Sequence, residues 1–199
     1  AAARVDTAEL DMREAVGSGT FATVHRGVYR GQQVAVKVFN DKASPESLAR
    51  ELALSCALVH PNIVRCVGVG WQPAPSRVDA LSQQDQQGQE QEQQSHEDAA
   101  LLWKPVLVME FCLLGSLFQM LYPVAPESKT RRAATVSAAP LDPHAHTIAR
   151  GVAAALAHLH ALGYAHFDLC SSNVLVCITV TNNSSLFCAM FSCTHIHIH

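Results

Sequence analysis

His166-Phe167-Asp168-Leu169-Cys170-Ser171-Ser172-Asn173 sets an imidazole, a carboxylate and a carboxamide within one short segment between two regular elements. Upstream, His146 to Leu162 places Ile148, Val152, Ala155, Leu156 and Leu159 on one face of a helix, and Gly163 ends it. Downstream, Val174-Leu175-Val176 reads as a strand. Polar groups able to move a proton or hold a cation, presented on a loop between a helix and a strand, mark a place for chemistry.

Further towards the start, Leu10 to Phe39 is strand-like. Val24–Tyr29 and Gln33–Phe39 flank Arg30-Gly31 as the arms of a hairpin. Before them lies Gly17-Ser18-Gly19-Thr20-Phe21-Ala22-Thr23-Val24, whose glycines let backbone amides come close to phosphate. A tight hairpin turn would explain the same glycines. Lys37 ends the apolar run Val34-Ala35-Val36, where a charge is costly unless it finds a partner. Alone, such a lysine reads as a snorkelling surface residue. Glu51 supplies a partner from the next helix, expected over Glu46 to Leu58 with Ser44-Pro45 as its start and Leu48, Leu52, Ala53 and Leu58 near helical spacing. His60-Pro61-Asn62 breaks that helix, Ile63–Val69 reads as a strand, and Leu101–Phe111 as another.

Two stretches are of different material. Gln72 to Asp98 is Gln-rich and Pro-interrupted, and residues 123–145 are rich in Ala, Pro and Ser, so both read as disordered insertions. Over the whole chain an apolar share of 49% is ample for a core. A formal net charge of −3 gives no basic field, which argues against a nucleic-acid partner. No run is long and apolar enough to span a bilayer, and Arg4, Asp6 and Glu9 break up the only candidate leader. Seven cysteines without a CxxC pair read as reduced thiols, which places the chain in the cytoplasm. A start at Ala1 without Met suggests a fragment or a processed end.

Taken in order, the glycine loop, strand lysine, helix glutamate, His-Pro-Asn and the His166–Asn173 loop resemble a eukaryotic protein kinase domain. Leu107-Val108-Met109-Glu110-Phe111-Cys112, Gly115-Ser116-Leu117 and Ser171-Ser172-Asn173-Val174-Leu175 resemble the tyrosine-kinase-like group of serine/threonine kinases. The resemblance implies an α+β fold: a small antiparallel-sheet amino-terminal lobe with one main helix, and an incomplete helical carboxy-terminal lobe. It divides the chain into an extension over 1–9, a partial kinase domain over 10–176, and an atypical tail over 177–199.

The resemblance also implies roles. ATP would be covered by Val16, Gly17, Ser18, Gly19, Thr20, Phe21, Ala22 and Val24. Lys37, held by Glu51, would contact its phosphates. Ala35 and Leu175 would sandwich the adenine, Met109 would stand as gatekeeper, and the Glu110 and Cys112 backbones would bond the ring. Asp168 would orient and deprotonate a Ser/Thr hydroxyl of a protein substrate, and Asn173 would ligate Mg2+.

Four departures temper the activity. Phe167 replaces an arginine that pairs with a phosphorylated activation loop in the family. Cys170 replaces a lysine at the γ-phosphate, removing positive charge where negative charge develops. Ser55 replaces a larger apolar residue on the helix. No Asp-Phe-Gly follows Asn173, and in the nearest echo, Leu186–Ser192, Met190 stands where a metal-binding aspartate belongs, although thioether sulfur is a poor magnesium ligand. Two readings stay open: a kinase fragment inactive by itself, and a pseudokinase that binds partners or senses nucleotide. The tail itself reads as unrelated sequence, and the alternating His195, His197 and His199 as incidental rather than as a metal site. Arg131-Arg132-Ala133-Ala134-Thr135 and the Asn182 and Asn183 triplets read as chance spacings.

Overall fold

The computed structural model describes residues 3–40, 42–73, 103–122, 144–181, 184–191 and 196–198. Ten strands are named: β1 (Ala3–Arg4), β2 (Leu10–Ser18), β3 (Ala22–Tyr29), β4 (Gln32–Phe39), β5 (Cys66–Pro73), β6 (Trp103–Glu110), β7 (Tyr164–His166), β8 (Val174–Thr181), β9 (Ser184–Phe191) and β10 (Ile196–Ile198). Among the described residues three α-helices accompany them: α1 (Pro45–Ala57), α2 (Leu117–Leu121) and α3 (Ala145–Ala161).

Local chemistry explains the boundaries. Arg30 and Gly31 take φ of 48° and 78°, the paired left-handed geometry that turns β3 tightly into β4. Ser44 caps α1 by accepting from the Ser47 N–H at 3.2 Å, with Pro45 in the first turn, where no intrahelical donor is needed. Ser116 and Gln119 form a reciprocal capping box on α2. Gly163, at φ 79°, ends α3 as expected.

β2 to β6 form an antiparallel sheet in the order β5-β6-β4-β3-β2, and β1 adds a parallel strand beside β5. The expected α+β architecture is therefore present, with α1 as the main helix of the sheet half. Strand alternation divides the core. Val34 and Val36 face Val106, Val108, Tyr29 and Val5 on one side. Phe39 and Ala35 face Ala22, Leu107, Met109 and Cys112 on the other, where Leu48 and Leu52 of α1 and Leu175 and Cys177 of β8 close the cluster. A third cluster seats α1 on α3 through Leu54, Leu58, Ile63, Ala155 and Leu159.

Several expected boundaries move. The strand expected over Ile63–Val69 runs from Cys66 to Pro73, because Ile63 turns into the α1–α3 cluster. Gln72 and Pro73, expected in an insertion, pair with Lys104 and Trp103. Ala145, placed at the end of the second insertion, begins α3, and His144 before it is the N-cap; residues 74–98 and 123–143 of the two insertions lie outside the described residues. On α1 and its C-cap, Leu48, Leu52 and Leu58 pack into the core as expected, whereas Ala53 is exposed and its neighbours Leu54 and Ser55 are buried instead.

Residues before Leu10 join the sheet. The Val5 N–H donates to the Val69 carbonyl at 2.8 Å, and the Thr7 hydroxyl to the Trp71 carbonyl at 2.8 Å. Gly68 and Gly70 make this close approach possible: a Cβ on Gly68 would lie 2.1 Å from the Ala3 carbonyl oxygen, and one on Gly70 2.8 Å from Thr7 Cγ2. In the tail, β9 pairs antiparallel with β8, and β10 with β7.

Candidate functional site

β3 and β4 position the first half of the site. Gly17 pairs with Val24, and Val24 pairs with Lys37, so glycine loop, apolar roof and lysine lie in one row across three strands. Lys37 is only 8% exposed, 5.1 Å from the centre of the Phe39 ring, and its Nζ donates to Glu51 Oε1. Burying the ammonium is costly, and this carboxylate from α1 offsets that cost. The pairing expected from sequence is thus formed.

At the loop tip the Gly19 N–H donates to the Ala22 carbonyl at 2.9 Å. Asn40, just beyond β4, holds the tip twice: its N–H donates to the Phe21 carbonyl at 3.0 Å, and its Nδ2 to the Thr20 carbonyl at 2.8 Å. Asn40 was not singled out in the sequence; its place directly after the lysine strand was the available signal. Ala22 is buried against Phe39 without a positive φ, so the turn accommodates its Cβ. Val16 and Phe21 are exposed, and Ser18 pairs with Thr23.

Where β6 leads into the connection between the halves, Met109 and Cys112 are buried in one cluster, and Ala35 and Leu175 pack against it. Met109 pairs with Ala35 across the sheet. The Glu110 N–H donates to the Arg65 carbonyl at 3.0 Å, and Glu110 Oε1 accepts from the Arg65 N–H at 2.6 Å. The connection then pairs with β8, since the Leu114 N–H donates to the Val176 carbonyl at 3.2 Å and the Val176 N–H to the Gly115 carbonyl at 2.8 Å.

The loop between β7 and β8 holds the second half. Asn173 Nδ2 donates to both the backbone oxygen and Oδ2 of Asp168, each at 2.8 Å. The Asp168 N–H donates to His166 Nδ1 at 3.3 Å, so that nitrogen is the acceptor and the ring proton belongs on Nε2. The Ser171 carbonyl accepts from the Phe118 N–H at 2.9 Å, fastening the loop to α2. Phe167 is 66% exposed and Cys170 is exposed, while Ser55 is buried on α1. Met190 is paired with Leu175.

The donor set suits the groups that the resemblance implies. A buried, paired ammonium beside a glycine turn fits a polyphosphate. Because Asn173 turns its Nδ2 towards Asp168, its Oδ1 is the atom left to offer a hard cation. No group of three or more His, Cys, Asp or Glu that could hold a metal occurs among the described residues; His195 and His199 lie outside them. No helix among the described residues is long and apolar enough to cross a membrane.

The halves also meet at a ring pair that the sequence did not reveal. His60, after α1, stacks on His158 of α3 with centroids 4.9 Å apart. Burial, and secondarily the charge of His158, hold the His60 pKa below the ordinary histidine value.

With this geometry the chain belongs to the protein kinase domain family, whose pattern matches residues 10–183. It is 25% identical over 176 residues to a probable serine/threonine-protein kinase of Dictyostelium discoideum, covering 87% of this chain and 8% of that protein. It is 29% identical over 161 residues to mitogen-activated protein kinase kinase kinase 7 of Drosophila melanogaster, covering 81% of this chain and 18% of that protein. A shorter match, 38% over 69 residues, joins it to the serine/threonine-protein kinase CTR1 of Arabidopsis thaliana and covers 33% of this chain and 8% of that protein. The chain thus spans less than a fifth of the length of each of these relatives.

Proposed function

We propose that these residues form the ATP-binding half and catalytic loop of a serine/threonine protein kinase of the tyrosine-kinase-like group. The observation that carries this is the joint presence of the part-buried Lys37–Glu51 pair and the Asp168–Asn173 hydrogen bonds, two pairs of the kind phosphoryl transfer uses. Lys37 would meet the ATP phosphates under the Gly17–Val24 loop. The adenine would lie between Ala35 and Leu175, bonded by the Glu110 and Cys112 backbones and bounded by Met109. Asp168 would accept the proton of a Ser/Thr hydroxyl on a protein substrate while Asn173 orients its carboxylate. Mg2+, held in part by Asn173, supplies neutralisation of phosphate charge when bound. A cytoplasmic location belongs to the same proposal and rests on the unpaired spacing of the cysteines.

Within these 199 residues no Asp-Phe-Gly follows Asn173, and Cys170 offers no cation to a transferring phosphoryl group. We therefore expect nucleotide binding without turnover from this chain by itself. Phe167 and Cys170 favour a second reading, a pseudokinase scaffold. Phosphotransfer to a mixed Ser/Thr peptide library is the direct test, comparing this chain with one given an Asp-Phe-Gly segment and a helical lobe from a relative. Transfer by the completed protein that disappears with Asp168→Asn supports the kinase reading. Magnesium-independent ATP binding with no transfer by the completed protein supports the scaffold.

A further inference from the structure

Cys56 lies in the last turn of α1 and Cys66 is the first residue of β5, and their sulfurs are 3.5 Å apart. Both side chains are half-buried, so neither is sealed from solvent. The approach is supported by the packing of the elements that carry the two residues. Leu54 and Leu58 seat the end of α1 on α3, and Ile63 joins the same cluster on the way to β5. Cys66 packs beside the Phe39, Val64 and Leu107 cluster. A disulfide needs the two sulfurs to close to about 2.05 Å, a shift of about 1.5 Å from their present separation.

We propose that Cys56 and Cys66 form a modification site: a dithiol that a small disulfide oxidant closes into a covalent tie between α1 and β5. The steps are two exchanges. One cysteine thiolate attacks a sulfur of the oxidant, breaking its S–S bond and releasing one small thiolate. The second cysteine thiolate then attacks the protein sulfur of that mixed disulfide, forming the Cys56–Cys66 bond and releasing the second small thiolate. The two cysteine protons end on the two released thiols, so one small disulfide is reduced as the pair is oxidised. Glu51 lies five residues before Cys56 on the same helix, so the tie restrains the element that brings this carboxylate to Lys37. The proposal stands on the packing of α1 and β5 and does not depend on nucleotide binding or transfer.

The test is disulfide mapping on the whole 199-residue chain. Reduced protein is incubated with oxidised glutathione, alkylated and cleaved after arginine, which separates residues 51–65 from 66–77. The expected product is one linked pair of these peptides, lighter by two hydrogens than their sum. It should be absent from Cys56→Ala and from Cys66→Ala, and a rise in melting temperature reversed by dithiothreitol should follow the same pattern. Exposed Cys170 is an internal control for the oxidant. If Cys170 carries glutathione while Cys56 and Cys66 remain alkylated, or each carries its own adduct, the proposal is overturned.

Discussion

Lys37 is 8% exposed and meets Glu51 from a different element, whereas Asp168 is exposed and meets Asn173 five residues further along its own loop. In the sheet half, the polar pair cannot form unless β4 and α1 are already packed against each other. In the loop half, the polar pair is local and is exposed to water. The difference teaches where each set of residues acts: the Lys37–Glu51 pair is built into the fold, and the Asp168–Asn173 pair is laid on top of it.

Substitutions should separate the two. Lys37→Met leaves the partly buried Glu51 without its cation, so we expect a loss on the order of 2 kcal/mol in urea unfolding. Asp168→Asn should change stability by no more than about 0.5 kcal/mol in the same experiment, as is usual for an exposed position. Equal losses from both would erase the contrast.

Gly68→Val probes the edge of the sheet half. Its side chain would enter the space of the Ala3 carbonyl, displacing β1 at a cost of about 1–3 kcal/mol and raising hydrogen exchange at Val5. In the loop half, Ser116→Ala removes one arm of the capping box on α2, which fastens the Ser171 carbonyl; a loss of about 1 kcal/mol is expected.

The smallest effect concerns the seam between the halves. The folded-state pKa of His60 lies below its unfolded value, so between the two the unfolded chain binds more protons. Stability should therefore fall as pH drops through the ordinary histidine value of 6.5, and level off below the folded pKa. His60→Gln should flatten that slope in melting curves taken across the range.

How much was legible in the sequence follows the same division. The β3–β4 hairpin, α1, α3 and the paired Lys37–Glu51 could be read because periodicity, caps and a buried charge each leave local traces. The start of β5 could not, since Ile63 is apolar whether it continues a strand or turns into a helix contact. Nor could the seating of residues 3–9 on Gly68 and Gly70, because a strand interior rarely announces why it holds glycine. Asn40 at the loop tip, the His60–His158 stack and the Cys56–Cys66 approach are contacts between elements, and single-residue chemistry does not show them. The tail reads as unrelated sequence, yet β8 and β9 pair from Val174 to Phe191 and the family pattern runs to residue 183.

The central claim, that the sheet half is a nucleotide site built around Lys37, is tested most directly by titrating ATP with magnesium into the chain in a calorimeter. Saturable one-to-one binding is predicted for the wild type and for Asp168→Asn, with at least a roughly tenfold loss for Lys37→Met, equivalent to about 1.4 kcal/mol. Absence of binding by the folded wild-type chain, or equal affinity for folded Lys37→Met, would contradict the account.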